Sequence, residues 1–392
     1  MKRVLFVIET LGLGGPTTSL AAMLDLLRRS GCEPDLFVMD HAAVPAALTD
    51  AHLLPEDRAL AASLCRKRDV RRRFGMIGTV RRILLSILKR IFPQDKIQRI
   101  VYRRAAARLC SYDTVAAYQE GHATEFAGHI AAAHRIAWVH TIYDRFTADT
   151  APKSVLRTYE KFESIVCVAA AGADTFRAAQ PTLAPRVAVI PNPINCDRIR
   201  RMAKDAPQIQ TAGRTVIASV GRLSPEKQYS YALEAAARLM HDGIDFAWYI
   251  VGDGEDAEAL HAAAEKLGLC DRVIFTGALD NPYPIIAAAA MLVISSAYEA
   301  QPMVANEALT LGVPVVTTDY AAAGAVTGGG RFGVVCENSP DGLYTAVKRL
   351  LTDADALADL RRRASQFEYD NGTVVREVRR LICNDDGGND GT

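Results

Sequence analysis

The order of apolar and polar residues predicts an alternating α/β chain. The apolar run Val4 to Ile8 ends in Leu11-Gly12-Leu13-Gly14-Gly15, and a helical pattern follows from Thr17 to Arg29. Strand, glycine-rich turn and helix in this order open a nucleotide-binding type of α/β unit. Further strand patterns cover Leu36 to Met39, Thr114 to Tyr118, Ile136 to Val139, Ile165 to Val168 and Val187 to Ile190. Pro191-Asn192-Pro193 breaks the pattern, and a polar stretch from Lys204 to Arg214 leads to a new start at Val216. From there strands at 216–220, 246–251, 272–276, 291–295 and 313–317 alternate with helices at 228–241, 255–267, 283–290, 303–311 and from Pro340. Short runs that are apolar throughout fit strands buried on both faces of a parallel sheet.

The expected architecture is α/β, with two doubly wound Rossmann-like domains facing a cleft. Residues 1–200 form the first, 201–365 the second, and a helix over 366–383 packs back on the first. Residues 384–392, polar and glycine-rich, are expected to be disordered. Ligands of such sheets bind beyond the carboxyl ends of the strands.

The richest stretch for chemistry is Ser295 to Ala308, which follows a strand and opens a helix. Pro302 suits a first helical turn. The backbone N–H groups of Met303 and Val304 would then offer an anion site. Glu299 precedes that site and Glu307 lies behind it, a layout matching a ligand with hydroxyls at both ends and phosphates between. The alternative is an exposed loop acid and a solvated helix residue. A second cluster, Val220 to Gln228, sets Arg222 and Lys227 around a tight turn, a fork and a point charge suited to a diphosphate; alone, it could equally be a solvated basic loop.

These motifs carry a resemblance. G-R-x-x-x-E-K from Gly221 to Lys227, I-V-G-D-G at 250–254, Glu299 and Glu307 with seven residues between, and A-L-x-x-G-V-P-V-V at 308–316 resemble the donor domain of retaining glycosyltransferase family 4, of the GT-B architecture. The nearest likeness is to capsule, lipopolysaccharide and exopolysaccharide enzymes. The first half is similar through Leu11 to Gly15 and Ile136 to Thr141.

The resemblance implies transfer of a sugar from a nucleotide-diphosphate donor, with UDP as the expected nucleotide, to a glycan or lipid-linked acceptor with retention. Arg222 and Lys227 would hold the diphosphate, and Glu307 the ribose hydroxyls. Glu299 and His140 would lie at the reacting sugar, and Gly14 and Gly15 would let the first loop approach the donor. Where the family usually follows Glu299 with glycine, this chain has Ala300. Alternatives are a nucleotide-sugar 2-epimerase of the same architecture or a non-catalytic binding protein.

No cofactor or metal is expected. Arg222, Lys227 and a helix N-terminus already supply positive charge to a diphosphate. The one Asp-x-Asp triplet, Asp353-Ala354-Asp355, falls in a late helical stretch and reads as capping acids.

Composition adds two points. The eight cysteines, at 32, 65, 110, 167, 196, 270, 336 and 383, lack paired spacing and read as buried, reduced thiols. The net charge of +1 conceals a segment from Arg66 to Arg108 with fifteen Lys and Arg against Asp69 and Asp95. Within it Met76, Val80, Ile83, Leu84, Ile87, Leu88 and Ile91 share one helical face. Either this helix lies on an anionic membrane surface, or it buries its stripe as an ordinary domain helix. Nucleic acid fits poorly, since no aromatic for base stacking is interleaved among Arg81, Arg82, Lys89 and Arg90. With no signal-peptide core after Met1-Lys2-Arg3 and no spanning run, the expected location is cytoplasmic, and peripheral on the inner membrane face on the membrane reading of the basic helix.

Overall fold

A computed structural model describes residues 2–12, 14–41, 48, 51–65, 67–143, 153–205, 209 and 213–383. Leu13, Arg66 and the tail 384–392, all named above, lie outside these residues. The chain divides into two compact units, residues 1–193 with 371–392, and residues 194–370. The division falls at Pro193, where two prolines end the strand pattern, and not at 200.

The first unit is built on a parallel sheet of β1 (Val4–Thr10), β2 (Asp35–Asp40), β3 (His52–Leu53), β4 (Tyr112–Ala117), β5 (Ala132–Val139), β6 (Ser164–Cys167) and β7 (Val187–Val189). Their order is β3-β2-β1-β4-β5-β6-β7. Both faces are covered. Phe6 packs with Tyr118 and Trp138 at ring-centroid distances of 5.8 and 6.0 Å on one side, and Leu5, Val7, Phe37 and Phe126 fill the other. The helix Asn371–Cys383 belongs to this unit. Its Val374, Val378 and Ile382 are buried, and the Thr114 hydroxyl donates to the Ile382 carbonyl at 2.9 Å.

The second unit has a parallel sheet of β8 (Thr215–Val220), β9 (Phe246–Val251), β10 (Val273–Gly277), β11 (Met291–Ile294), β12 (Val315–Thr318) and β13 (Gly333–Cys336). The order β10-β9-β8-β11-β12-β13 reverses direction between β8 and β11. Alternation serves two cores at once: Val216, Ala218, Ala247, Tyr249 and Val251 face one, Ile217, Phe246, Trp248 and Ile250 the other. The buried Ser219 hydroxyl is satisfied twice, donating to the Val293 carbonyl at 2.7 Å and accepting from Trp248 Nε1 at 3.0 Å.

Asp353 caps the helix Ala354–Ala364, its carboxylate accepting from the Ala356 N–H at 2.9 Å. Cys65, Cys167 and Cys336 are buried, but Cys110 and Cys270 are exposed, which corrects the expectation of uniformly buried thiols. Both exposed cysteines stand in connections, Cys110 just before β4 and Cys270 past the helix Ala257–Lys266, where no apolar run draws them inward. No helix among the described residues is long and apolar enough to cross a membrane.

Candidate active site

In a doubly wound sheet the crevice opens where neighbouring strands send their connections to opposite faces. In the second unit that point is the carboxyl end of β8 and β11, and the loops leaving these strands carry the residues singled out in the sequence.

The loop after β8 runs from Gly221 to a short 3-10 turn, Pro225–Lys227. Gln228 then takes a left-handed conformation (φ 46°, ψ 44°) to enter the helix Tyr229–His241. This loop is moulded by the Gly-Asp-Gly stretch after β9. Gly221 and Leu223 donate their N–H groups to the carbonyls of Val251 and Asp253, each at 3.0 Å. A Cβ on Gly252 would stand 1.8 Å from the Gly221 carbonyl oxygen, and one on Gly254 2.1 Å from that of Leu223. The two glycines are therefore the condition for the backbone contact that holds Arg222 at the carboxyl end of β8. Arg222 is exposed and makes no ion pair among the described residues.

The loop after β11 is tied to the first. The Ser295 hydroxyl donates to the Lys227 carbonyl at 2.7 Å, and the Ala297 N–H to the Glu226 carbonyl at 2.8 Å. Across this seam Lys227 Nζ forms an ion pair with Glu299 Oε1, which also accepts from the Ser296 hydroxyl at 2.9 Å. Further support comes from β12, whose Thr318 hydroxyl donates to the Ser296 carbonyl at 2.7 Å. Ala300 does not take a left-handed conformation, so alanine fits where a glycine is usual.

Pro302 stands at the N-cap of the helix Met303–Thr310, one residue earlier than expected, with no side chain capping that end. Met303 and Val304 thus supply first-turn N–H groups that lack intrahelical acceptors. Glu307 is buried, at 7% exposure, contrary to the solvated alternative. Loss of hydration pushes its pKa up to about 7, and a hydrogen bond from the Tyr283 hydroxyl opposes the rise. No sequence signal marked Tyr283, which lies in the helix Tyr283–Ala288, remote in sequence from either motif.

Gly14, Gly15 and His140 lie at the corresponding carboxyl edge of the first unit's sheet. Gly14 (φ 150°, ψ 171°) stands at the N-cap of Gly15–Arg29. His140 follows β5, and its ring lies 4.9 Å from that of Tyr118. Burial pushes its pKa down. Neither ring nitrogen has a well-formed hydrogen bond. Its backbone is held by Glu120, whose carboxylate accepts from the N–H groups of His140 and Thr141, the latter at 2.8 Å, and from the Thr141 hydroxyl at 3.1 Å. Glu120 escaped the sequence analysis because it stands outside any recognisable motif.

Comparison with known proteins bears on the fold and the family. Residues 203–367 match the family model "Glycosyl transferases group 1". The chain is 33% identical over 205 residues to the 2-deoxystreptamine glucosyltransferase of Streptomyces kanamyceticus, covering 48% of this chain and 51% of that one. It is 32% identical over 156 residues to the lipopolysaccharide core biosynthesis glycosyltransferase LpsE of Rhizobium meliloti, 39% of this chain and 45% of that. The matches thus span about half the length of these curated relatives. Among solved structures, Anabaena Alr3699/HepE in complex with UDP and glucose superposes with a TM-score of 0.72 at 18% identity, over 98% of this chain and 100% of that one. WaaG, a glycosyltransferase involved in lipopolysaccharide biosynthesis, gives 0.62 at 17% identity, over 98% and 100%. The chain has the two-Rossmann GT-B fold, its residues 203–367 match the group 1 glycosyl transferase family, and it resembles glycosyltransferases of lipopolysaccharide and exopolysaccharide assembly.

Proposed function

We propose that the protein transfers a sugar from a nucleotide-diphosphate sugar to a glycan or lipid-linked acceptor, with retention of anomeric configuration and without a metal. The observation that carries this reading is the Lys227–Glu299 ion pair at the switch point, with Arg222, unpaired among the described residues, on the same loop and Glu307 buried behind. The complex of HepE with UDP and glucose favours UDP as the nucleotide.

Lys227 neutralises Glu299 through their ion pair. A diphosphate seated against Arg222 and the first turn of Met303–Thr310 would draw the Lys227 ammonium toward itself. Glu299 would then face the sugar with its charge less compensated, where positive charge develops on the ring as the C1–oxygen bond to the diphosphate breaks. The acceptor oxygen would bond to C1 from the same face, its proton passing to the departing phosphate oxygen. Glu307 would accept hydrogen bonds from the ribose hydroxyls, replacing the hydration that burial removes. His140, Gly14 and Gly15 are assigned to the sugar and to the close approach of the first loop through the family resemblance. The proposed acceptor class follows the relatives' names, among them a diphospho-undecaprenol N-acetylgalactosaminyltransferase of Campylobacter jejuni.

A thermal-shift series with nucleoside diphosphates and their sugars tests the donor assignment, because a ligand of the folded state raises its melting point by mass action. Proton NMR of the transferred sugar in the first minutes of reaction tests retention. A product of inverted configuration overturns the stereochemical part.

A further inference from the structure

The helix Lys67–Ile91 is broken at Gly75, which stands at φ 65°, ψ −159°. The part before the break belongs to the body of the first unit: Val70 and Phe74 are buried with Ala61, Ala62 and Cys65. Arg73 turns inward as well, pairing with Asp40 and, at 3.2 Å, with Glu56. Beyond Gly75 the pattern reverses. Met76, Val80, Ile83, Leu84, Ile87 and Ile91 are all exposed, from 47% at Ile87 to 77% at Met76. Arg82 hooks this second part to the body through the Ser63 carbonyl, so the helix is held in place while its apolar face stays in water.

A contiguous apolar face of this size marks an interaction surface. Its charge selects the partner. From Val70 to Gln94 the sequence holds seven Lys and Arg and no acid, and Arg71, Arg72, Arg81 and Arg90 are exposed. A second copy of the chain docked face to face would set this charge against itself. An apolar protein groove would leave the arginines unanswered. A bilayer with anionic headgroups answers both, taking isoleucine and leucine among its chains and arginine at its phosphates. A groove of about 310 Å³ along the helix brings the two chemistries together, with Arg82, Arg90 and Ser86 beside Ile83 and Ile87.

We propose that residues 76–91 form a docking helix that lies in the plane of an anionic lipid bilayer. Met76 and Ile91 sit about 22 Å apart at the helical rise, and the helix enters only as deep as its side chains reach. The surface acts whatever the donor chemistry proves to be.

The test uses the full chain with sedimentable vesicles, one set of equal parts phosphatidylglycerol and phosphatidylcholine, the other of phosphatidylcholine alone. Two variants accompany the parent: Ile83→Ser with Leu84→Ser and Ile87→Ser, and Arg71→Gln with Arg72→Gln, Arg81→Gln and Arg90→Gln. All seven side chains are exposed, so both variants should keep the parent's melting point. The parent is expected to partition onto the anionic vesicles alone, and less so as salt rises. Removing four arginines should lower that partition by about a hundredfold or more, and the serine variant should lose it. Equal binding to neutral vesicles, no binding to either, or undiminished binding of the arginine variant overturns the proposal. So does a parent dimer in sedimentation equilibrium that the serine substitutions dissociate, since a second copy would then own the face. The arginine variant keeps the test decisive should the serine variant misfold.

Discussion

Lys227 and Glu299 meet as an ion pair across the point where the second sheet reverses its strand order, one from the loop after β8 and one from the loop after β11. Both side chains are largely shielded, at 25% and 15% exposure, so each governs the electrostatic environment of the other. Residues acting as one unit show strongly non-additive effects. Glu299→Gln and Lys227→Met are each expected to lower turnover by about a hundredfold or more. The double variant should be little worse than the poorer single one. A double-mutant cycle on kcat checks this, and simple multiplication of the two losses would show the residues to act independently.

Arg222 offers a cleaner separation of function from stability. It is exposed and unpaired among the described residues, so Arg222→Ala should shift stability by no more than about 0.5 kcal/mol. Its loss should nevertheless weaken nucleoside diphosphate binding, measured by calorimetry, while the free nucleoside binds as before. Equal weakening of both ligands would place Arg222 away from the phosphates.

Glu307 gives the site a pH signature. Burial lifts its pKa from 4.5 to about 7, so the folded state holds the proton more tightly than the unfolded chain. The protein should therefore lose stability as pH rises from about 4.5 through about 7, and regain none above it. The loss is on the order of 3 kcal/mol. Glu307→Gln removes the titration, so its melting point should overtake the parent's across that window while its nucleotide affinity falls. A difference between the two melting curves that is constant with pH would contradict this origin. The parent's stabilisation by donor should also grow with pH through the same range, because ribose hydroxyls bind the ionised carboxylate best.

Gly254→Ala tests how Arg222 is placed. The added methyl would collide with the Leu223 carbonyl, so the loop after β8 must move. A loss of about 1–3 kcal/mol in stability is expected, with donor binding reduced beyond what Arg222→Ala alone causes. Chemical denaturation and calorimetry together check it, and unchanged donor binding would show that the loop does not depend on the glycine.

The second unit was legible in the sequence because each interior strand is buried on both faces and reads as a short apolar block, as Phe246 to Val251 does. The strand Gly333–Cys336 is absent from the expected alternation, although Cys336 stands in an apolar run, because it sits at the sheet's edge with Val334 and Val335 partly exposed and the run is short. Loop chemistry was legible as residue types at fixed offsets, whereas contacts between distant segments were not. The Tyr283 hydroxyl on Glu307 and the grip of Glu120 on Thr141 join residues 24 and 21 positions apart, with no periodicity to betray them. Likewise the stripe from Met76 to Ile91 showed which face of the helix is apolar, but only the packing shows that it stays exposed while Arg73 and Arg82 turn inward.

The most direct test of the account is the release of nucleoside diphosphate from a panel of nucleotide sugars by the parent and by Glu299→Gln, in buffer containing EDTA. The account predicts that one donor, a UDP-sugar, is turned over by the parent despite the chelator. It predicts that Glu299→Gln releases nucleotide about a hundredfold more slowly while binding UDP as tightly as the parent. Full activity in Glu299→Gln, or no release from any donor until magnesium or manganese is restored, would contradict it.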